Sequence, residues 1–440
     1  MRRSLFTLLI VGALAAVAVL PAGATPHGDK PDGPAPSAGT EAAIPEAAPV
    51  SGLTQVSAGY DVTCARTSDG RARCWGENDE GQLGQGNFAP RQFSVIVRNP
   101  AGTGPLTGVR QVATTDDGAC ALLTNQEVRC WGDNEYGAVG DGTDTNDRPL
   151  PRIVKGVGGT GRLDNIVEIS GESDGMCART AGGQVRCWGE DDYGQLGDGD
   201  VEADSNTPRI VRGVGGTGRL TGVVEIEAAY DNNCARLANG QARCWGYNDG
   251  GELGNGGTAQ SGVPTVVSNR AGTGPLTGVR DLSHGGYGGC AALTNGQVRC
   301  WGVNDTGQVG DGTTSERLRP VPVRSVSGGG VLTGAVAVTG GYYHSCALLN
   351  TGQVRCWGET DNGELGDGTS FMGPDRLRPR VVKNLAGNGP LTGVRSINAN
   401  QSHTCAIVAQ GQARCWGRND YGQLGNGGTV DRNLPVRVLA

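Results

Sequence analysis

One spacing governs this chain. Fourteen cysteines fall into seven pairs, each Cys-x9-Cys. They are Cys64 with Cys74, Cys120 with Cys130, Cys177 with Cys187, Cys234 with Cys244, Cys290 with Cys300, Cys346 with Cys356, and Cys405 with Cys415. Every second cysteine sits in the tetrad Arg-Cys-Trp-Gly. The seven tryptophans of the chain are the seven of that tetrad: Trp75, Trp131, Trp188, Trp245, Trp301, Trp357 and Trp416. Successive second cysteines lie 56, 57, 57, 56, 56 and 59 residues apart. A period of that length, repeated seven times, requires a repeat architecture.

The fifth repeat shows the local structure. Gly278-Val279-Arg280-Asp281-Leu282-Ser283 alternates as a strand does. Cys290-Ala291-Ala292-Leu293 and Gln297-Val298-Arg299-Cys300-Trp301 flank Thr294-Asn295-Gly296, a hairpin with glycine at the left-handed position. Pairing Leu293 with Gln297 sets Ala292 opposite Val298, Ala291 opposite Arg299 and Cys290 opposite Cys300. At a non-hydrogen-bonded pair the Cα atoms stand about 4.5 Å apart, within reach of a disulfide. A cross-strand bridge is therefore expected in each repeat, contributing at most roughly 2–3 kcal/mol. Unpaired buried thiols are the alternative. Zinc is disfavoured, because the pairs lack a short knuckle and the chain has four histidines.

Turn signals follow each tetrad, as in Gly194-Gln195-Leu196-Gly197-Asp198-Gly199 and Gly422-Gln423-Leu424-Gly425-Asn426-Gly427. A proline-bearing strand such as Pro320-Val321-Pro322-Val323 closes most repeats, and proline marks a sheet edge. Each unit thus supplies four strands. The expected fold is all-β: a seven-bladed β-propeller of four-stranded antiparallel blades over residues 52–440. The last strand, Leu434-Pro435-Val436-Arg437-Val438, is expected to complete the first blade and close the ring, which leaves few free edges. The 78 glycines and the 5% aromatic content suit many short strands and tight turns.

Residues 1–24 read as an export signal: Arg2 and Arg3, an apolar run from Leu5 to Leu20, and Ala22-Gly23-Ala24. Arg2-Arg3-Ser4-Leu5-Phe6 also resembles a twin-arginine signal, and an uncleaved anchor is the alternative to cleavage. Residues 25–51 read as a disordered Pro/Ala/Gly-rich linker, too poor in large apolar residues to fold. No membrane span is expected after signal removal. The protein is expected to be exported, to the periplasm, wall or medium. The net charge is −7 and no basic block occurs, which argues against a nucleic-acid partner.

The repeat resembles that of the regulator of chromosome condensation family. The motif is carried by Gly341-Tyr342-Tyr343-His344-Ser345-Cys346-Ala347-Leu348, then Gly352-Gln353-Val354-Arg355-Cys356-Trp357-Gly358, then Gly363-Glu364-Leu365-Gly366. The resemblance covers about residues 52–440 and implies a seven-bladed propeller. The family's founding member is a nuclear guanine-nucleotide exchange factor that binds chromatin. An exported, acidic chain fits that role poorly. The family histidine survives only at His344 and His403. Val62, Gly118, Gly175, Asn232 and Gly288 replace it elsewhere.

Catalytic motifs are absent: no Gly-x-Ser-x-Gly elbow, no His-Glu-x-x-His, no phosphate-binding loop. No cofactor and no metal are expected. Calcium would suit the Asp-Gly turns, but turn chemistry explains them without it. Whether two carboxylates meet as acid and base is left open. The informative positions precede each first cysteine: Tyr60, Asp61, Asp117, Asp174, Tyr230, Asp231, Tyr287, Tyr343, His344 and His403. On one face they form a ring of aromatic anchors in polar surroundings, as protein-binding surfaces have. Ordinary solvated turns are the plainer alternative. The tryptophans and the tetrad arginines are expected to be structural. The chain reads as a monomeric, non-enzymatic scaffold or inhibitor that binds another protein. An enzyme or lectin acting on envelope glycans is the second reading, and nucleotide exchange the third.

Overall fold

The computed structural model of the chain describes residues 48–369 and 371–440. The export signal and residues 25–47 of the expected linker lie outside the described residues. The described part forms seven four-stranded antiparallel sheets, and no α-helix occurs among the described residues. The blades span residues 53–96, 109–153, 166–210, 223–266, 279–322, 335–381 and 396–437. The first strands of all seven blades line a polar central cavity of about 150 Å³. Each blade then runs outward in sequence order, so its fourth strand, proline-bearing in six of the seven, is the edge.

Blade five consists of Val279–Gly285, Gly288–Leu293, Val298–Gly302 and Arg317–Pro322. Its hairpin has the expected register, with Cys290 opposite Cys300, Ala291 opposite Arg299 and Ala292 opposite Val298. All seven expected disulfides are present, one per blade, with Cα atoms 4.0–4.1 Å apart. Cys64 is bonded to Cys74, Cys120 to Cys130, Cys177 to Cys187 and Cys234 to Cys244. Cys290 is bonded to Cys300, Cys346 to Cys356 and Cys405 to Cys415. The tetrad arginine braces the same hairpin: Arg299 Nη2 donates to Gln297 Oε1 at 2.7 Å.

The apolar core is divided into seven wedges, one at each blade boundary. Between blades four and five, Ala242, Leu253 and Val267 meet Val279, Leu282, Ala291 and Trp301. These are small residues, and the tryptophan is the largest body in each wedge. All seven tryptophans are at most 1% exposed. Burying one removes roughly 200 Å² from water, about 4–6 kcal/mol of transfer free energy. Each indole N–H donates at 2.7–2.9 Å to a main-chain carbonyl in the turn that follows the tetrad of the preceding blade, typified by Gly-Gln-Leu-Gly. Trp301 reaches Glu252 O, and Trp75 reaches back around the ring to Gln423 O.

The glycine that ends this turn is required twice over. Gly254 has φ +60°, and a Cβ there would lie 2.8 Å from Trp301 Nε1. A second set of links runs around the cavity, where a polar side chain on one first strand bonds the backbone of the next. Gln55 exchanges two hydrogen bonds with Val112, and Gln111 does the same with Ile169. Glu168, Glu225, Asp281, Thr339 and Asn398 accept from Ile226, Leu282, Val338, Ala399 and Ala58. All seven boundaries are bridged in this way.

The C-terminal segment does close the ring, but by a different pairing from the one expected. The last strand, Arg432–Arg437, pairs with Gln412–Gly417 in its own blade and not within the sheet of blade one. Blade one supplies its own fourth strand, Arg91–Ile96, which lacks the proline signature. The two ends of the ring fall instead within an inter-blade joint. At an internal joint the chain doubles back: Arg98 bridges Pro105, Leu106 N–H donates to Val97 O at 2.9 Å, and Asn99 N–H to Gly104 O at 2.7 Å. At the seam the two ends copy this without a covalent link. Pro49 bridges Leu439, Val50 N–H donates to Val438 O and Ala440 N–H to Ala48 O, both at 3.0 Å. Residues 48–50, assigned above to the linker, are therefore part of the propeller.

We predict that Gly254→Ala destabilises the fold by about 2–4 kcal/mol, combining left-handed strain with overpacking. Gly215→Ala is the control: its φ is +72°, but nothing lies within 4 Å of the added Cβ. It should cost only about 1–2 kcal/mol. Urea denaturation of both variants measures the difference. Equal losses would mean that the tryptophan contact carries no energetic weight.

Candidate protein-binding face

Antiparallel order sends two loops of every blade to the same end of the ring. These are the loop between the first and second strands and the loop that follows the tetrad. A repeated backbone bond ties them together. The N–H of Glu77, Asp133, Glu190, Tyr247, Val303, Glu359 and Arg418 donates at 2.9–3.1 Å to the carbonyl of Asp61, Asp117, Asp174, Asp231, Tyr287, Tyr343 and Ser402. The tetrad glycine makes this approach possible: Gly302 has φ +103°, and a Cβ there would sit 2.4 Å from Tyr287 O. The two residue sets read separately from sequence thus form concentric rings on one face.

Contacts across the ring close the centre of this face. Gln401 of blade seven donates from Nε2 to Tyr342 Oη at 2.8 Å and to Asp116 Oδ2 of blade two at 3.3 Å. The Tyr342 ring meets Tyr230 of blade four edge-on at 5.1 Å and Tyr287 of blade five at 5.6 Å. Tyr287 stacks on Tyr343 at 5.0 Å. Blades four to six therefore present a contiguous tyrosine patch, and Tyr193 against Tyr247 at 5.0 Å adds a second aromatic pair.

Blades one to four present acid. Burial raises the pKa of Asp174 well above the carboxylate range, and repulsion from Asp133, Glu190, Asp117 and Glu135 adds to it. Asp116 is raised in the same way, by burial and then by Asp174, Asp117 and Asp61. Burial, then Asp231 and Asp192, pushes Glu190 up to about 8. Burial, then Asp192 and Glu252, pushes Asp231 up to about 7.

Arg418 is the only Lys or Arg in these loops, whereas each of the seven outer loops carries a carboxylate. It lies 5.3 Å from the Tyr60 ring and 5.9 Å from the Tyr421 ring, and bonds Asp420 at 2.9 Å. Cations gather in the loops that join the blades, at the opposite end: Lys155, Arg162, Arg212, Arg219, Arg270, Arg324 and Lys383. Arg91, Arg148, Arg317, Arg376 and Arg432 also begin fourth strands at the acidic end, where Arg148, Arg317 and Arg376 pair with Asp141, Asp311 and Asp367, so the polarity along the axis is partial.

The sequence-derived ring sorts into two groups. Tyr60, Asp117, Asp174, Tyr230, Tyr287 and Tyr343 are half-buried on this face. Asp61, Asp231, His344 and His403 are 3%, 6%, 1% and 0% exposed, so they are corrected from contact residues to supporting ones. Asp61 Oδ1 accepts from Gln423 Nε2 at 2.8 Å. His344 Nε2 pairs with Thr404 Oγ1 at 2.8 Å, and His403 Nε2 with Thr63 Oγ1 at 2.9 Å. Both histidines are inter-blade joints, held neutral by burial, with pKa values lowered to about 4 and about 3. Sequence reasoning missed Asp116, Tyr342 and Gln401 as the plug, and Arg418. Arg418 had a signal, as the lone cation in a column otherwise filled by Glu, Asp, Tyr and Val.

Two clusters among the described residues have metal-like composition. Cys234 and Cys244 near His284 are bonded to each other and offer no thiolate. Glu80, Asp133 and Asp147 bring carboxylate oxygens together. Burial, and then a hydrogen bond with Asp147, push Glu80 up to about 7.

A closed ring with one plugged, acidic, tyrosine-bearing face and a basic reverse defines a seven-bladed propeller whose loops are free to carry recognition. Two sequence models of the regulator of chromosome condensation (RCC1) repeat match it. One covers residues 53–82, 109–138, 335–364 and 394–423, and the other 182–235, 295–348 and 410–440. The chain belongs to the RCC1 repeat family. It is 29% identical over 338 residues to the ultraviolet-B receptor UVR8 of Arabidopsis thaliana, covering 76% of this chain and 71% of the receptor. It is 27% identical over 368 residues to the human E3 ubiquitin-protein ligase HERC2, covering 83% of this chain but only 7% of the ligase. Human WBSCR16 shares the fold with a TM-score of 0.67 at 20% identity, covering 84% of this chain and 94% of that one. Yeast RCC1 (Prp20), solved bound to Kap60, gives 0.66 at 18%, covering 90% and 85%.

The raised carboxylates fix a sign for pH dependence. An acid whose folded pKa exceeds its unfolded value holds its proton longer when folded, so stability falls as pH rises between the two values. Glu190, Asp231 and Asp174 should therefore make the protein more stable at pH 6.5 than at pH 8.5. We predict a gain on the order of 2 kcal/mol. The histidines are neutral throughout that window. Thermal melts at constant ionic strength test this, and Asp174→Asn with Glu190→Gln should flatten the profile. A melting temperature that rises towards pH 8.5 would contradict the assignment.

Proposed function

We propose that this protein is an exported, non-enzymatic propeller that binds a basic protein segment through its acidic, tyrosine-bearing face. One observation carries the reading: carboxylates and tyrosines are concentrated around a plugged channel mouth, while cations gather on the opposite face. An electrostatically one-sided ring orients an incoming cationic partner and speeds its encounter. The tyrosines then supply rigid aromatic area, and their ring faces accept Lys or Arg side chains. Prp20p of Saccharomyces cerevisiae, which shares the fold at 19% identity, was characterised for binding to Gsp1p and histones. That protein binding is consistent with this reading at the level of fold. The absence of free thiols among the fourteen cysteines favours an oxidising compartment after export.

The glycan-binding alternative is weakened because all seven tryptophans are spent inside the wedges. Hydrolysis would need two carboxylates flanking an open cleft, and the channel mouth at the acidic face is filled by Gln401 and Tyr342.

The test uses immobilised residues 25–440 and three peptide sets of equal length: cationic with aromatics, cationic without, and anionic. We predict binding of the cationic sets, strongest with aromatics, weakening at least about tenfold between roughly 50 and 300 mM salt. Asp117→Asn/Asp174→Asn/Tyr343→Ala should abolish it, and Arg219→Gln on the reverse face should leave it unchanged. Indifference to peptide charge, or equal binding by the triple variant, overturns the reading.

A further inference from the structure

The residue four places after each tetrad cysteine organises the loop that follows. In most repeats it is asparagine, and its side chain works in two directions. Its Oδ1 accepts from the N–H five residues on: Asn78 from Leu83 at 2.8 Å, Asn248 from Leu253 at 2.9 Å, Asn419 from Leu424 at 3.0 Å. Its Nδ2 donates to two loop carbonyls: Asn248 to Gly257 and Ala259 at 3.1 and 2.9 Å, Asn419 to Gly428 and Val430, both at 3.0 Å.

Blade three has Asp191 at this position. The acceptor half is kept, with Leu196 N–H donating to Asp191 Oδ1 at 2.8 Å. The donor half is gone. Asp191 is 0% exposed, and its Oδ2, standing where the other repeats place an amide nitrogen, has no hydrogen-bond partner among the described residues. A buried carboxylate oxygen with no partner is costly. The adjoining loop is also unlike its counterparts: Asp198-Gly199-Asp200-Val201-Glu202-Ala203-Asp204 places a carboxylate at every second residue. Asp204 Oδ1 accepts from the Asp191 backbone N–H at 2.9 Å, which folds the loop onto Asp191.

We propose that blade three binds a divalent cation of the calcium type between Asp191 and the 198–204 loop. The argument is one of complementary chemistry. Asp191 offers a buried hard oxygen at the inner end, Asp204 is held beside it by the bond to its N–H, and the other loop carboxylates are near enough to be felt as charge, so that an ion would have to draw them in. Calcium accepts about six to eight oxygen ligands in irregular geometry, including backbone carbonyls of the kind this loop turns towards the asparagine in other blades. The donors are all oxygen, with neither thiolate nor imidazole, which favours a hard ion over a zinc-like one. Asp198, Asp204 and Asp200 lie near enough to Asp191 to add to its charge repulsion, after burial as the main cause. A cation removes that repulsion and supplies the missing partner together. An exposed outer wall suits the weaker range of calcium sites, about 10⁻⁴–10⁻³ M.

The experiment measures the melting temperature of residues 25–440 against calcium at constant ionic strength, with calorimetric titration in parallel. We predict a saturable rise with one site per chain. Asp191→Asn is a decisive variant, because asparagine is the residue that folds this loop in other blades. It should melt at or above the wild type without calcium and lose the calcium response. Asp198→Asn changes a partly exposed loop residue and should weaken calcium binding about tenfold without altering the calcium-free melt. Three results overturn the proposal. The first is a wild type indifferent to calcium. The second is a rise that magnesium matches and Asp191→Asn retains, which marks general screening of the acidic face. The third is an Asp191→Asn effect that follows pH alone, which means that a protonated Asp191 donates as the amide does.

Discussion

Everything in this ring depends on the indole N–H that each blade sends into the post-tetrad turn of the blade before it. The wedges between blades contain mainly alanine, valine, cysteine and a few leucines. Such residues cannot position a blade by shape alone. The tryptophan adds both the largest buried surface in the wedge and a donor that must be satisfied inside it. Its acceptor is a turn held by a left-handed glycine lying against the indole edge. Tryptophan, turn and glycine therefore act as one device, and the hairpin disulfide holds the strand that carries the tryptophan. The device operates at all seven boundaries, including the seam, so no blade is terminal.

This uniformity separates stability from recognition. The loops at the acidic end are fixed in height by the backbone bond from the residue after each tetrad. Side chains in those loops can therefore differ between blades without disturbing the frame. Blades two and three use that freedom mainly for carboxylates, and blades four to six place tyrosines beside theirs. The plug extends the same logic. Gln401 and Tyr342 meet at the axis because their loops are held there, and they join blades far apart in sequence without any change in the blades themselves.

The repeat unit is legible in the sequence because it rests on short-range chemistry. The hairpin register follows from a three-residue turn with Gly296, and the disulfide follows from the register. Blade number follows from counting tetrads. The seam is not legible in the same way, because proline is the signature of the fourth strand and Arg91–Ile96 has none. The face is half legible. Position within the repeat fixes the height of Asp61, Asp231, His344 and His403, but not their exposure. Exposure depends on the neighbouring blade: Gln423 covers Asp61, and Thr63 and Thr404 receive the histidines. The plug is hidden for a stronger reason, since the bond from Gln401 to Asp116 spans 285 residues of sequence. No local pattern encodes such a contact.

The seven disulfides and the acidic face belong to one argument. Carboxylates as enclosed as Asp116, Asp174 and Glu190 weaken the fold whenever they ionise, as their raised pKa values state. A protein with several of them needs a surplus of stability from another source. Each wedge contributes mainly through its one tryptophan, because the small side chains around it bury little area apiece. Bridges that restrict the unfolded chain supply it without touching the face, at up to roughly 2–3 kcal/mol each. They also lie within the pairing of the second and third strands, two rungs in from the acidic-end loops and not in the loops themselves. The bridges can thus offset charge repulsion without altering the loops that carry it.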